Sequence, residues 1–218
     1  MLPIICIVGS SDSGKTTFLE KLIPELGRRG YRVGTVKHDA HSFEMDREGK
    51  DTWRHRKAGA QTIAISSPAQ VATIRQVQSE MDIEELAGHY FWQEDVLIAE
   101  GFKRSRFPKI EIFRSVVEPA PICGSKDNLI ALVTDDPIQV DVPVFRFEEV
   151  AHVADFIEER YLKERRKPSI LVMLDGKQLP MKDFVRDFVI GGIKGMLSSL
   201  RGWKSTGKID IHIRSEED

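Results

Sequence analysis

At 218 residues, 41% hydrophobic and 30% charged, the chain has an ordinary globular composition, with room for one α/β domain and a small addition. Its 32 Lys and Arg against 34 Asp and Glu give a net charge of -2, which argues against a general nucleic-acid coat or a polybasic membrane binder. Two distant cysteines, Cys6 and Cys123, set aside a disulfide framework or a CxxC metal site.

The N-terminus, MLPIICIVGSS, is apolar but short and lacks a basic n-region, so it reads as a strand rather than a signal peptide. No stretch approaches the roughly 20 apolar residues of a membrane span, and a cytoplasmic location is expected. Ile4 to Val8 is a continuous apolar run, the pattern of a strand buried on both faces of a parallel sheet, with Cys6 inside it as a buried free thiol. Leu19, Leu22, Ile23 and Leu26 then recur at helical spacing until Gly27 and Gly30. Tyr31 to Val36 predicts a second strand, and Lys37 to Gly49 a polar loop. A short helix is expected over Lys50 to Ala58, strands over Thr62 to Ser66 and Val71 to Ile74, and a helix over Ile83 to Tyr90.

Val96 to Ala99 is the second fully apolar run and ends at Glu100-Gly101. Lys109 to Arg114 alternates, as an edge or half-exposed strand would. Leu129 to Val133 is the third apolar run, ending at Thr134-Asp135-Asp136. A brief strand at Val144-Phe145 and an amphipathic helix over Glu148 to Leu162 follow. The alternation predicts an α/β fold: a doubly wound, mostly parallel sheet of the P-loop NTPase type, over residues 1–162.

The charge run at 163–167, closed by Pro168, is the linker candidate. Residues 168–218 read as a small α+β module of ββαβ order. It comprises a hairpin around Asp175-Gly176, a helix with a stripe from Phe184 to Leu200, and a strand over Ile209 to Ile213. Roughly 50 residues is marginal for an independent core, so this module is expected to pack on the main domain or on a second copy.

The chemistry begins at the end of the first strand, where Gly9, Gly14, Lys15 and Thr16 meet the pattern G-x-x-x-x-G-K-[ST]. Such a loop, here Gly9, Ser10, Ser11, Asp12, Ser13 and Gly14, must converge consecutive backbone N–H groups on phosphate oxygens. That requires residues without a Cβ at the tight positions. The following helix adds its positive end, Lys15 a point charge for the β- and γ-phosphates, and Thr16 a hydroxyl for Mg²⁺. Thr17 is placed for the α-phosphate. The metal also needs an acid at the carboxyl end of a neighbouring buried strand, which selects Glu100 over Asp95. Lys15 and Glu100 are therefore the catalytic candidates, with Thr16 and Glu100 at the metal.

The loop after the second strand carries His38 and His41, readable as transition-metal ligands or as a solvated, hydrogen-bonding pair. Trp53 reads as a core residue or as the flank of a planar ligand. Lys103, Arg104, Arg106 and Lys109 follow Glu100 closely and suit a second anionic group, or form a solvated basic loop.

Taken together, GSSDSGKTT (9–17), VGTVKHDAHSFEMDREGKDTWRHRKAGA (33–60), VLIAEGFK (96–103) and KIEIFR (109–114) resemble the molybdopterin-guanine dinucleotide biosynthesis adapter proteins, the MobB family. The resemblance covers roughly residues 1–162. It implies a GTP-binding protein, a weak Mg²⁺-dependent GTPase at most, that assists the guanylyltransferase joining GMP to molybdopterin. Molybdopterin-loaded proteins are further partners, and a homodimer is the implied state. It also implies that Asp46 lies with Glu100 at the metal, and that His38, His41, Lys103 and Lys109 line a shared anionic groove.

Two features depart from that pattern. No N-K-x-D guanine-reading motif occurs, Thr134-Asp135-Asp136 being the nearest substitute, so GTP over ATP rests on the resemblance. The tail from Lys163 exceeds the usual family length. Two alternatives remain: a nickel-type metallochaperone GTPase using His38, His41 and His55, and a small-molecule kinase with Arg104 and Arg106 as lid residues.

Overall fold

The computed structural model describes residues 2–39, 43, 45–163, 170–174, 177–204, 209 and 211. The first two-thirds runs β1 (Ile4–Val8), α1 (Lys15–Arg28), β2 (Val33–Lys37), α2 (Asp51–Lys57), β3 (Thr62–Ser66), β4 (Val71–Arg75), α3 (Ile83–Tyr90), β5 (Val96–Glu100), β6 (Lys109–Ile112), β7 (Leu129–Val133), β8 (Val144–Phe145) and α4 (Val150–Ile157). A π-helical stretch, Glu158–Leu162, continues α4. The tail contributes β9 (Met173–Leu174), β10 (Lys177–Gln178) and α5 (Asp183–Ser198). Among the described residues no helix is long and apolar enough to cross a membrane.

Six strands form one parallel sheet in the order β2-β5-β1-β6-β7-β8. Continuous apolar runs are needed here because both faces are covered. Along β1, Ile5 and Ile7 join Phe18, Leu22 and Leu26 of α1 and Val153 and Ile157 of α4. Ile4, Cys6 and Val8 point the other way, into a second core with Ile83 and Ala87 of α3. Removing each isoleucine from water contributes roughly 1.5–3 kcal/mol, and together these side chains fix β1 at the centre of the sheet. The chain leaves β1 toward β2 on one side and later fills the other side with β6. The crevice at the carboxyl ends of β1 and its neighbours is therefore the switch point where α/β sheets bind ligands.

Four local expectations need correction. First, the β6 segment is not at an edge: it lies between β1 and β7, and all four of its residues are buried. Its alternate polar residues are satisfied internally. The Lys109 ammonium donates to the carbonyls of Ser105, Phe107 (3.0 Å) and Asp127 (2.7 Å), while the Glu111 carboxylate accepts from the N–H groups of Ile122 (2.7 Å) and Cys123 (2.9 Å). Second, β3 and β4 pair antiparallel with each other, outside the main sheet. Third, α1 runs through Pro24 and Gly27, and the chain turns at Gly30, where φ is +90°. Fourth, the helix expected over Glu148 to Leu162 is α-helical only from Val150 to Ile157.

In the tail, β9 and β10 form the expected hairpin pair. A Cβ on Gly88 of α3 would stand 2.8 Å from the Met173 sulfur, so β9 lies directly on that helix. The expected linker from residue 164 onward, the Asp175-Gly176 turn and most of the strand expected over 209–213 fall outside the described residues.

Lys109 bonds two loops, at 105–107 and at 127, to one buried strand. Lys109→Met strands three carbonyls in the interior, and the expected stability loss is about 3 kcal/mol. Urea unfolding of the full chain measures it; a loss under about 1 kcal/mol would show that these carbonyls find water.

Candidate nucleotide-binding site

The cleft at the carboxyl edge of the sheet has a volume of about 540 Å³, within the usual range of small-molecule sites. It is lined by Ser11, Asp12, Gly14, Lys15, Thr16 and Thr17 from the loop and helix after β1. Lys37 and His38 come from the end of β2, and Glu100 and Gly101 from the end of β5. The register of β2 on β5 sets Lys37 opposite Glu100, so the three strand ends converge.

The loop from Gly9 to Gly14 is shaped by steric exclusion. Gly9 has φ +146°, and a Cβ there would stand 2.4 Å from the Ile112 carbonyl oxygen and 2.7 Å from the Ser13 hydroxyl. Gly14, at φ +96°, caps α1 with no side chain, and the first turn of α1 holds no acid. The N-terminal N–H groups of the helix therefore meet no acid from its own first turn, which suits an anion site. The Ser13 hydroxyl is buried without a hydrogen-bond partner among the described residues.

Lys15 lies back over the loop and donates to the carbonyls of Gly9 (3.1 Å) and Ser10 (2.8 Å). Burial lowers its pKa; Glu100 opposes that shift and Lys37 adds to it. Thr16 Oγ1 donates to the Glu100 carboxylate at 3.2 Å and 3.4 Å, and Lys37 Nζ stands 3.6 Å from the same group. A hydroxyl and a carboxylate in contact beside a phosphate loop make a hard oxygen donor pair of the kind Mg²⁺ takes. The residues present fit both a triphosphate and the metal.

The structure brings together Ser11, Asp12, Gly14, Lys15, Thr16, Thr17, His38 and Glu100, with Gly9 and Ser13 forming the loop that supports them. His38 also bonds through Nε2 to Glu80 (2.8 Å), and its ring packs on Phe102 with centroids 5.1 Å apart. His41 lies outside the described residues.

The groove residues assigned by resemblance are rearranged. Lys109 is fully buried in β6 and spends its donors on backbone carbonyls, so it cannot face an anion in the cleft. Asp46 does not line the cleft either. Its carboxylate accepts from the Thr52 hydroxyl at 2.8 Å and lies 3.7 Å from Arg56 Nε, bracing α2 from its N-terminal side. Lys103 stands exposed on the loop after Glu100 and is not among the lining residues. Arg106 of the same basic loop pairs with Glu84 of α3. Trp53 is half-buried, with the Lys57 ammonium 5.3 Å from its ring centre.

Three contributors went unassigned in the sequence. Lys37 was readable, as the last residue of a strand that ends at the cleft. Arg114 donates from Nε to the Ser13 carbonyl (3.1 Å) and lies 4.3 Å over the Phe147 ring. Phe147 closes against the loop, within 3.5 Å of where a Gly14 Cβ would stand, and its N–H donates to Asp135 Oδ1 at 3.3 Å. Asp136 accepts from the N–H (2.7 Å) and hydroxyl (2.8 Å) of Ser115, bonds that hold its carboxyl below the usual pKa.

The sequence profile of the molybdopterin guanine dinucleotide synthesis protein B family matches residues 4–135. The molybdopterin-guanine dinucleotide biosynthesis adapter protein of Haemophilus influenzae is 34% identical over 158 residues, 72% of this chain and 88% of that protein. Its counterpart in Escherichia coli is also 34% identical, over 168 residues covering 75% of this chain and 96% of that one. A crystal structure of molybdopterin-guanine biosynthesis protein B superposes with a TM-score of 0.58 at 32% identity, covering 72% of this chain and 97% of the other.

The Gly9 geometry is testable by itself. Gly9→Ala drives a methyl into the Ile112 carbonyl and is expected to destabilise the chain by about 2 kcal/mol and to distort the loop. Thermal unfolding and titration with a fluorescent triphosphate should both respond; parent-like values in both would mean the loop relaxes without consequence.

Proposed function

The chain belongs to the molybdopterin guanine dinucleotide synthesis protein B family, and on that premise we propose that it is a GTP-binding adapter of molybdenum cofactor assembly. It assists the guanylyltransferase that attaches GMP to molybdopterin, and it works in the cytoplasm as a homodimer. The observation that carries this reading is the contact of Thr16 and Glu100 beside Lys15 at the mouth of the phosphate loop.

The loop residues Gly9 to Gly14 and the start of α1 hold the phosphates through backbone N–H groups. Lys15 exchanges the carbonyls of Gly9 and Ser10 for the β- and γ-phosphates, where an anion restores the charge that burial disfavours. Thr16 and Glu100 hold Mg²⁺, which neutralises phosphate charge when bound. Lys37 balances Glu100 across the cleft, and Thr17 steadies the α-phosphate. The loop at Thr134-Asp135-Asp136, with Phe147 beside it, is the element assigned to the base. Hydrolysis is slow at most in this reading: among the described residues Lys15 and Lys37 are the lysines that line the cleft, and no Arg does. No observation among the described residues favours the metallochaperone or the kinase.

Lys15→Ala is expected to reduce Mg·GTP affinity at least about 100-fold, because the phosphates lose their only cation in the loop. Isothermal titration measures this, and parent-like affinity would remove Lys15 from the site. Glu100→Gln should retain GTP while losing about tenfold in Mg²⁺ affinity. For the adapter role, GTP-dependent co-sedimentation with purified guanylyltransferase is expected. No binding and no change in that enzyme's activity, with or without GTP, would overturn the role while leaving nucleotide binding intact.

A further inference from the structure

The loop from Gly9 to Gly14 touches a side-chain stack that neither the phosphates nor the metal explains. Arg114 stands just past the end of β6, and Phe147 just past β8. The Arg114 guanidinium lies 4.3 Å over the Phe147 ring, which meets Phe18 of α1 edge-on with centroids 6.5 Å apart. Phe18 is buried, Phe147 half-buried and Arg114 exposed, so the stack rises from the core to the surface. Its rim reaches the phosphate loop. Arg114 Nη2 and Phe147 Cε1 lie 3.6 Å and 3.5 Å from where a Cβ on Gly14 would stand.

The bonds that hold this stack leave its outer face unused. Arg114 Nε donates to the Ser13 carbonyl at 3.1 Å, and among the described residues its two terminal nitrogens make no hydrogen bond. Phe147 is tied through its N–H to Asp135 Oδ1 at 3.3 Å. Ser115, next to Arg114, donates to Asp136 from its N–H (2.7 Å) and its hydroxyl (2.8 Å). The phosphate loop does not rest on Arg114 alone, because the Ser10 hydroxyl donates to Glu118 of the same turn at 2.8 Å. A guanidinium with one face on a ring and the other toward solvent is a planar cation open to a second ring.

The order of strands says which part of a nucleotide arrives there. Glu100 and Lys37, at the ends of β5 and β2, stand on one side of β1, and that is the side assigned to the metal and the γ-phosphate. The strands β6, β7 and β8 lie on the other side. A triphosphate laid along the loop therefore runs from Glu100 toward Arg114. Its nucleoside leaves over the ends of β6, β7 and β8, where Arg114, Asp135, Asp136 and Phe147 stand.

We propose that Arg114 carries the base: the purine stacks on the guanidinium face turned away from Phe147, so that Arg114 is layered between two rings. This rests on the triphosphate reading of the cleft and adds to it a residue that determines specificity. Asp136 is already engaged by Ser115 and Thr134, so it braces the shelf, while the face of the base is held by Arg114. Such a contact favours a purine over a bare polyphosphate, because only the purine brings a π-face. Lysine at this position supplies the charge and the bond to Ser13 but not the plane.

The test compares Mg·GTP with Mg·tripolyphosphate, a phosphate chain without a base, by isothermal titration of the full chain and its variants. The readout is the ratio of the two affinities, which a general weakening of the phosphate loop leaves unchanged. Arg114→Ala is expected to lower that ratio about tenfold, through loss of GTP affinity. Arg114→Lys, which can still reach Ser13, should lower it several-fold with tripolyphosphate binding at the parent's level. Phe147→Leu, which removes the ring beneath the guanidinium, should do the same. A parental ratio in Arg114→Ala, whether both affinities fall together or neither changes, overturns the proposal and leaves Arg114 as a brace of the loop. A ratio that rises overturns it as well and places Arg114 on the phosphates. A parent chain that binds neither ligand would overturn the nucleotide site itself and the proposal with it, a result distinct from the other two.

Discussion

The site depends on one close approach: the backbone of Gly9 against the carbonyl of Ile112. A phosphate loop has to reverse direction directly after a buried strand, and here it does so in contact with the end of β6. That contact exists only because β6 is packed in register beside β1, Val8 opposite Glu111. The same strand end carries Arg114 back to the Ser13 carbonyl and over Phe147. The loop's curvature is thus set by sheet packing, and the direction in which its N–H groups point follows from that curvature. A cradle built this way is preorganised, so little ordering remains to oppose anion binding.

Much of this was legible in the sequence because the relevant signals are local. The three apolar runs could only be strands buried on both faces, the glycine spacing could only be a loop that needs missing side chains, and Glu100 stood at the end of a buried strand. What escaped reading was long-range. Lys109 and Glu111 alternate with isoleucines, and alternation ordinarily means a wet face. Their burial becomes tolerable only because carbonyls at 105, 107 and 127 and amides at 122 and 123 happen to converge on them, and nothing in the local pattern announces that convergence. Asp46 was misplaced for a related reason. A motif gives an acid's order along the chain, whereas its partner is set by how α2 folds back, and Thr52 and Arg56 sit at the helical spacing that captures it.

The β3–β4 hairpin shows a different limit. Two short strands of adequate propensity are as compatible with the main sheet as with a separate ribbon. A tight reversal at Ser67 to Gln70 lets them pair with each other, Ile63 beside Ile74. Their outward residues, including Ile65 and Val71, remain exposed, so the ribbon contributes little to the central core.

The position of β2 has a mechanical consequence. Among the described strands it pairs on one side only, with β5, whereas β1 is held between β5 and β6. The two walls of the cleft therefore differ in stiffness. The wall formed by the loop after β1 grows from a strand clamped on both sides by the sheet. The wall carrying Lys37 and His38 is secured along one seam and opens at lower free energy. The compliant wall of the cleft is thus the one that ends in Lys37 and His38, and the stiff wall is the one that continues into the loop after β1.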